Sequence, residues 1–323
     1  MLLSRSHLFN KGVVVVKKFY FGGQAVVEGV MMRGRETVVT AVRRPNGEMV
    51  IDTQPLPRLY TGRMRKAPLI RGVIVLIEAL VLGIKTLLHS ANISLEEEDE
   101  EISGWLLWLI LAGSLAFAVA LFFIVPLFLT SLLNLESSPL FSLIAGLIRV
   151  AIFITYLKLM TLVPDIKRVF AYHGAEHKAV NAYENGVPME IEAVRGYSKT
   201  HVRCGTSFMF MVLIISIFVF ALIGLHTTWL MVLSRIVLIP VIAALSYEAI
   251  YFSSRHTDNS LVRAITAPGL WLQSLTTREP DDSQIEVALA ALKKVVEAEE
   301  TEQSDETEQP EDIEQPEEAQ PSF

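Results

Sequence analysis

Four stretches of apolar residues are long enough to cross a lipid bilayer, which takes about 20 residues of helix. The four stretches form two consecutive pairs, and within each pair a short polar turn separates the two stretches. This pattern is typical of two helical hairpins. The stretches are residues 105–133, 140–163, 207–225 and 229–252, and the turns are residues 134–139 and 226–228.

The distribution of Lys and Arg predicts how the hairpins are oriented. Residues 1–71 contain 13 of these basic residues, the 164–206 loop contains six and residues 253–294 contain five, whereas the two turns contain none. Basic loops are retained in the cytoplasm. We therefore expect a multi-pass protein of the cell membrane with both termini cytoplasmic and only the two turns outside.

Residues 69–88 form a further apolar segment, in which Arg71, Glu78 and Lys85 recur every seven residues. Such spacing places the charges on one narrow stripe of a helix. A fifth crossing here would move one of the basic flanks outside. We therefore predict an amphipathic helix that lies in the membrane interface or packs on the cytoplasmic domain. A buried or re-entrant helix is the alternative.

The N-terminal part, residues 13–68, has a β-rich pattern. Strands are predicted at residues 13–16, 37–42 and 48–51, and the Asn46-Gly47 pair is a hairpin signal between the last two. Four glycines in the segment from Gly22 to Gly34 predict tight backbone turns around residues 24–33.

The C-terminal part, residues 253–295, is predicted to contain interfacial and amphipathic helices. Ser283 and Glu286 have the spacing of a capping box, which would open the last helix at Ser283. From residue 296 to residue 323 the chain is rich in Glu, Gln, Pro, Thr and Ser, and we expect a disordered acidic tail there. The acidic run at residues 96–101 is interpreted as a solvated linker.

Composition supports a membrane protein, with 51% hydrophobic residues and a mean hydropathy of +0.42. From Glu279 onward, 16 acidic and 2 basic residues give a net charge of −14, whereas the other 278 residues hold 19 acidic and 26 basic residues, a net +7. Cys204 is the only cysteine, which excludes an intrachain disulfide. The basic residues lack interleaved aromatics, so the expected partner is the lipid bilayer and not a nucleic acid.

The most specific motif for chemistry is His173-Gly-Ala-Glu176-His177, which matches the H-x-x-E-H pattern of inverted zinc peptidases. Positions i, i+3 and i+4 share one face of a helix, and Pro164 and Gly186 flank a predicted helix here. Two imidazoles one turn apart can bind one divalent ion, and Glu176 can act as the general base. Burying these groups on an apolar stripe costs several kcal/mol unless they are paired or ligated.

A catalytic zinc usually has three protein ligands. His201 and Cys204 are the preferred candidates to complete the site with His173 and His177, ahead of Glu184 and Glu248. The expected cofactor is a divalent metal, zinc. The alternative is a buried hydrogen-bond network of the two histidines and Glu176, without a metal.

Four segments resemble the bacterial YqhQ-like membrane proteins, and together they extend over roughly residues 20–295. The resemblance implies a bacterial multi-pass membrane protein of a family labelled a predicted metal-dependent enzyme, and it supplies no substrate. The segments are GGQAVVEGVMMRG at 22–34, HGAEHKA at 173–179, THVRCGT at 200–206 and PGLWLQSLTTREP at 268–280.

The sequence thus predicts a polytopic α-helical membrane protein with four transmembrane helices, a cytoplasmic α+β portion from residues 13–68, 164–206 and 253–295, and a disordered acidic C-terminal tail. The preferred function is a zinc-dependent hydrolase acting at the cytoplasmic membrane face. The alternative is a non-enzymatic scaffold, assembly or chaperone factor for other membrane proteins. A small transporter using Arg149, Lys158, Arg235 and Glu248 is less favoured, because four crossings without an internal repeat offer little room for a path.

Overall fold

The computed structural model describes residues 21–95, 104–135, 138–223, 227–256 and 258–308, and these residues are mostly helical, with one small sheet. The strands are antiparallel in the order β1-β2-β3-β4 and comprise β1 (Gly22–Val26), β2 (Gly29–Arg33), β3 (Thr37–Arg43) and β4 (Met49–Pro55). The helices are α1 (Arg58–Thr61), α2 (Ile70–Leu95), α3 (Gly104–Val119), α4 (Val125–Ser131), α5 (Ser138–Met160), α6 (Pro164–Glu184), α7 (Ile191–Arg195), α8 (Gly205–Ile223), α9 (Thr228–Val237), α10 (Ile239–Arg255), α11 (Ser260–Thr276) and α12 (Asp282–Glu308).

Two of the predicted strands are present as β3 and β4, and Gly47 in the turn between them has a φ of +87°. The predicted tight turn in residues 24–33 is present at residues 27–28, where Glu28 has a φ of +50°, but the strands on either side of it, β1 and β2, were not predicted. Gly23 and Gly29 allow close packing of neighbouring strands. A Cβ on Gly29 would lie 2.3 Å from the carbonyl oxygen of Ala41 on the neighbouring strand. The strand predicted at residues 13–16 lies outside the described residues.

The sheet is buried on both faces, because successive side chains of a strand point to opposite sides. Val30, Met32 and Val39 pack against α6 and α12, whereas Val38 and Val42 belong to a second core that includes residues of α2. The sheet therefore lies between two helical layers, and α6 holds a fixed position against it.

Four continuous helices are long and apolar enough to cross a membrane, namely Ile70–Leu95, Trp108–Ser131, Pro139–Met160 and Gly205–Ile223. The last three correspond to predicted crossings. The predicted crossing at residues 229–252 is broken into α9 and α10, which are bent by 48° relative to each other. Pro240 accounts for the break, since proline lacks an N–H group and its ring clashes with the preceding turn of a helix. The described residues therefore hold four such helices, or five if the bent pair is one span.

Helix α2 is 26 residues long and extends beyond the predicted segment at residues 69–88. One face lies against the sheet. Ser90 accepts a hydrogen bond from the backbone N–H of Val27 at 3.1 Å, and Glu78 pairs with Arg33 at 2.7 Å. The other face carries exposed apolar side chains such as Leu80 and Val81. Helix α2 therefore packs on the sheet by one face and is also one of the candidate membrane spans, so its interfacial position stays a prediction.

Helix α12 differs from its prediction at both ends. Asp281, not Ser283, caps it, because the Asp281 carboxylate accepts from the N–H of Gln284 at 2.9 Å and the Gln284 side chain accepts from the N–H of Asp281 at 3.0 Å. The helix continues to Glu308, so the predicted disorder does not begin at residue 296. Glu299 accepts hydrogen bonds from the backbone of Arg35 and Glu36, which explains the extension. Residues 309–323 and 96–101 lie outside the described part of the chain.

Candidate metal centre

Helix α6 carries the three motif residues on one face, as predicted. It begins at Pro164, where the missing N–H of proline costs nothing, and it ends at Glu184 before Gly186, which has a φ of +71°. Glu176 and His177 are 4% and 2% exposed, and the ring centroids of His173 and His177 lie 4.4 Å apart. The helix therefore holds two imidazoles and a carboxyl group together, with Glu176 and His177 buried and His173 partly buried.

Cys204 completes a cluster of donor atoms with the two histidines. One ligand atom from each of His173, His177 and Cys204 lies within 4.8 Å of the other two, and the Cys204 Sγ to His173 Nε2 distance is 3.3 Å. Cys204 directly precedes α8, and its sulfur accepts a hydrogen bond from the N–H of Thr206 at 3.4 Å. Of the candidates for the third position, Cys204 is thus the one nearest to both motif histidines.

Two backbone carbonyls fix the orientation of the imidazoles. The Nδ1 atom of His173 lies 2.9 Å from the Thr276 carbonyl oxygen, and that of His177 lies 2.7 Å from the Lys199 carbonyl oxygen. A carbonyl oxygen can only accept, so each Nδ1 carries the proton and donates. In this tautomer each Nε2 keeps a lone pair that can bind a metal ion, and a carbonyl on Nδ1 is a common way in which proteins orient histidine ligands.

Glu176 lies beside the cluster. Its Oε2 is 3.4 Å from the Nε2 of His177. Strand β1 packs directly on this side chain, because a Cβ on Gly23 would lie 2.7 Å from Cγ of Glu176. The carboxylate is thereby held next to the donor atoms, either as a base or as a further ligand.

The other ligand candidates have other partners. The His201 ring centroid lies 5.9 Å from that of His177, and its Nε2 is 3.5 Å from Oε2 of Glu184. Burial raises the pKa of Glu184, but the hydrogen bond with His201 and the charge of Arg203 outweigh it, so this pKa is lowered overall. Glu248 pairs with Arg71, a partner that sequence reasoning did not consider. His201, Glu184 and Glu248 do not belong to the three-atom cluster.

Sequence reasoning missed the segment that supports the cluster. Gln273 is fully buried, donates to the His201 carbonyl at 2.8 Å and accepts from the His201 N–H at 2.9 Å. It thereby holds the loop that leads to Cys204. A glutamine within an apolar helix was the available signal for such a role. The carbonyl groups of Thr276 and Lys199 gave no signal, because every residue has one.

The donor types, two imidazole nitrogens and one thiol sulfur, are ones that zinc accepts. Tetrahedral zinc with nitrogen at about 2.0 Å and sulfur at about 2.3 Å separates its ligand atoms by about 3.3–3.6 Å. The Sγ–Nε2 distance of 3.3 Å falls in this range, and all three atoms lie within 4.8 Å of one another. Three protein ligands would leave one position of a tetrahedral ion open.

The protein is thus mostly helical, with helices apolar enough to cross a membrane and with a small sheet beside the cluster of two histidines and a cysteine. The chain belongs to the family DUF1385, whose description is a protein of unknown function, and the match covers residues 67–298. It is 38% identical over 301 residues to the uncharacterized protein YqhQ of Bacillus subtilis (strain 168), covering 86% of this chain and 93% of the relative. No solved structure matches.

Proposed function

We propose that this protein is a zinc-dependent hydrolase that acts at the cytoplasmic face of the membrane. The observation that carries the proposal is the convergence of ligand atoms from His173, His177 and Cys204 within 4.8 Å of one another, with a buried carboxylate beside them. Two imidazoles and a thiolate are a donor set that suits zinc.

Each residue would have a separate task. His173, His177 and Cys204 would hold the ion, which would supply Lewis-acid chemistry to a substrate carbonyl or phosphoryl group. Glu176 would accept the proton of the attacking water, and its burial against Gly23 keeps it at the cluster. The carbonyls of Thr276 and Lys199 would keep both Nε2 atoms available.

The position of the cluster supports a substrate at the membrane surface. Cys204 immediately precedes the first residue of α8, a candidate membrane span. The cluster therefore lies at the end of the apolar helices. The Lys and Arg of the 164–206 loop favour the cytoplasmic side. Both a peptide and a lipid substrate are compatible with this position.

Metal content of the detergent-purified full chain tests the site. We expect one zinc per chain in the native protein and loss of most of it in His173→Ala, His177→Ala and Cys204→Ala. His256→Ala, which alters an exposed histidine, is the matched control and should retain the metal. His201→Ala should also retain it, because His201 lies outside the cluster. Native protein purified without chelators and free of metal would contradict the proposal.

Glu176→Gln separates catalysis from metal binding. It should keep the zinc and lower hydrolysis by about 10²–10⁴-fold, the usual contribution of a general base. If Glu176→Gln keeps the zinc and supports the cells as well as the native chain does, the metal has a structural role. That result would favour the non-enzymatic scaffold instead.

A further inference from the structure

Two arginines are buried among the apolar helices, away from the histidine and cysteine cluster. Arg149 of α5 is 4% exposed, and Arg235 of α9 is 3% exposed. Both guanidinium groups lie near the ring of Phe220 in α8, with Cζ to centroid distances of 6.0 Å and 5.1 Å. The two positive charges therefore share one region of the helical bundle.

The hydrogen-bonding capacity of these arginines is only partly used. Arg149 donates from Nε to the Phe122 carbonyl at 2.7 Å. This carbonyl lacks its normal helical partner, because the residue four positions later is Pro126, which has no N–H. The Nη2 atom of Arg149 and the Nε and Nη1 atoms of Arg235 are buried and have no protein partner among the described residues.

Among the described helices that carry the two arginines or pack beside them, only α10 holds an acidic residue, Glu248, and this residue pairs with Arg71. Helices α3, α4, α5, α8 and α9 and the π-helical turn Ala120–Ile124 contain neither Asp nor Glu. Glu136 is the nearest acid in sequence, but Arg149 lies 11 residues beyond the first residue of α5, or roughly 16 Å along the helix. The described residues thus supply no counter-charge for the pair.

Two uncompensated guanidinium groups in a low-dielectric interior would be strongly destabilising. The planar guanidinium matches oxyanions, and a phosphate offers several acceptor oxygens that can satisfy two arginines at once. We propose that Arg149 and Arg235 bind a phosphate group within the helical bundle. The 48° break between α9 and α10 falls three residues after Arg235 and just before Pro240, and interrupted helices in membrane proteins are found where they line polar sites.

The phosphate can come from a phospholipid headgroup or from free inorganic phosphate, and one experiment distinguishes them. The full chain is purified in a neutral detergent and phosphate-free buffer, depleted of lipid, and titrated with inorganic phosphate. In a second arm it is mixed with phosphatidylglycerol or phosphatidylcholine micelles. Thermal unfolding and native mass spectrometry measure stabilisation and the number of bound phosphate-containing molecules.

We expect one of the phosphate sources to raise the unfolding midpoint of the native chain, with about one bound molecule per chain. Arg149→Gln and Arg235→Gln should each weaken this binding at least tenfold and keep the bound zinc. Exposed Arg263→Gln is the matched control and should leave binding unchanged. Zinc content is measured in the same samples. A variant that loses phosphate binding but keeps its zinc shows that the two sites are separate, so this inference and the proposed hydrolase can fail independently.

Opposite results would overturn the inference. If no anion is bound, removing one arginine charge relieves repulsion, and Arg149→Gln and Arg235→Gln would each unfold at a higher temperature than the native chain. The variants would then also bind as much phosphate and lipid as the native chain. If the native chain binds no phosphate but Glu136→Gln does, Glu136 is the counter-charge of the two arginines. Equal stabilisation of native and variant chains by either source would show binding elsewhere.

Discussion

Gly174, inside the H-x-x-E-H motif, allows the segment after α11 to approach α6. A Cβ at Gly174 would lie 2.1 Å from the carbonyl oxygen of Arg278, whose own N–H donates to the Phe170 carbonyl at 2.8 Å. Gly174→Ala should therefore push this segment away, at a cost of about 1–3 kcal/mol of overpacking. Because Thr276, the last residue of α11, directly precedes this segment, zinc affinity should fall as well.

Thermal unfolding and zinc titration of the purified chain check this prediction. Gly196→Ala is the matched control, since a Cβ at Gly196 would meet no atom within 4 Å. If Gly174→Ala unfolds and binds zinc as the control does, the approach of α6 and the 276–280 segment is looser than described.

Gln273 is the polar side chain that fixes the loop before Cys204. Gln273→Leu keeps the volume but removes the partner of the buried His201 N–H and one of the two donors to the His201 carbonyl, which also accepts from the Cys204 N–H at 3.3 Å. A buried group left unsatisfied costs about 1–3 kcal/mol, so we expect a loss of about 1–3 kcal/mol. Denaturant unfolding measures the change, and Ser274→Ala on the exposed side of the same helix should cost little. Equal effects of the two substitutions would mean that Gln273 does not hold the loop.

At the residue scale, the sequence predicted the side chains of the site but not their support. The spacing of His173, Glu176 and His177 is a local helical property, and the structure places them together. Selecting Cys204 over His201 required the tertiary structure, since the two candidates are three residues apart. The carbonyl of Thr276 lies 103 residues from His173 along the chain and has no sequence signature.

At the scale of elements, two substitutions can show whether Asp281 or Ser283 caps the start of α12. Asp281→Ala removes the carboxylate that accepts from Gln284 and should cost about 1 kcal/mol. Ser283→Ala should cost much less, because Ser283 only donates to Asp281 at 2.7 Å and caps no backbone N–H. Thermal unfolding of both variants gives the comparison, and a larger effect at Ser283 would restore the capping box expected from the sequence.

Helices were more predictable than strands and breaks. The apolar stretch and the flanking proline and glycine were sufficient for α6, which depends on local periodicity. The hairpin of β1 and β2 escaped prediction, because its glycines are explained only by the neighbouring strand. The extension of α12 past residue 296 depends on contacts of Glu299 with residues more than 260 positions away.

At the scale of the whole molecule, contacts between the sheet and α6 restrict the membrane topology. Gly23 of β1 contacts Glu176 of α6, so the sheet and α6 must lie on the same side of a membrane. The chain between them contains α2, the α3–α4 span and α5. Only an even number of crossings returns it to the same side. If α3–α4 and α5 both cross, α2 does not, although it is long and apolar enough to do so.

This parity gives a topology prediction that single cysteines can test. Asn46→Cys in the β3–β4 turn, Gly196→Cys after α7 and Thr227→Cys before α9 are exposed positions, and Cys204 is buried, so the native chain serves as the background control. A membrane-impermeant maleimide should label Thr227→Cys in intact cells. It should label Asn46→Cys and Gly196→Cys only after permeabilisation. Labelling of Asn46→Cys from outside, with Gly196→Cys protected, would place α2 across the membrane and separate the sheet from α6. That outcome is incompatible with the contact between Gly23 and Glu176, and with the buried position that the proposed general base needs.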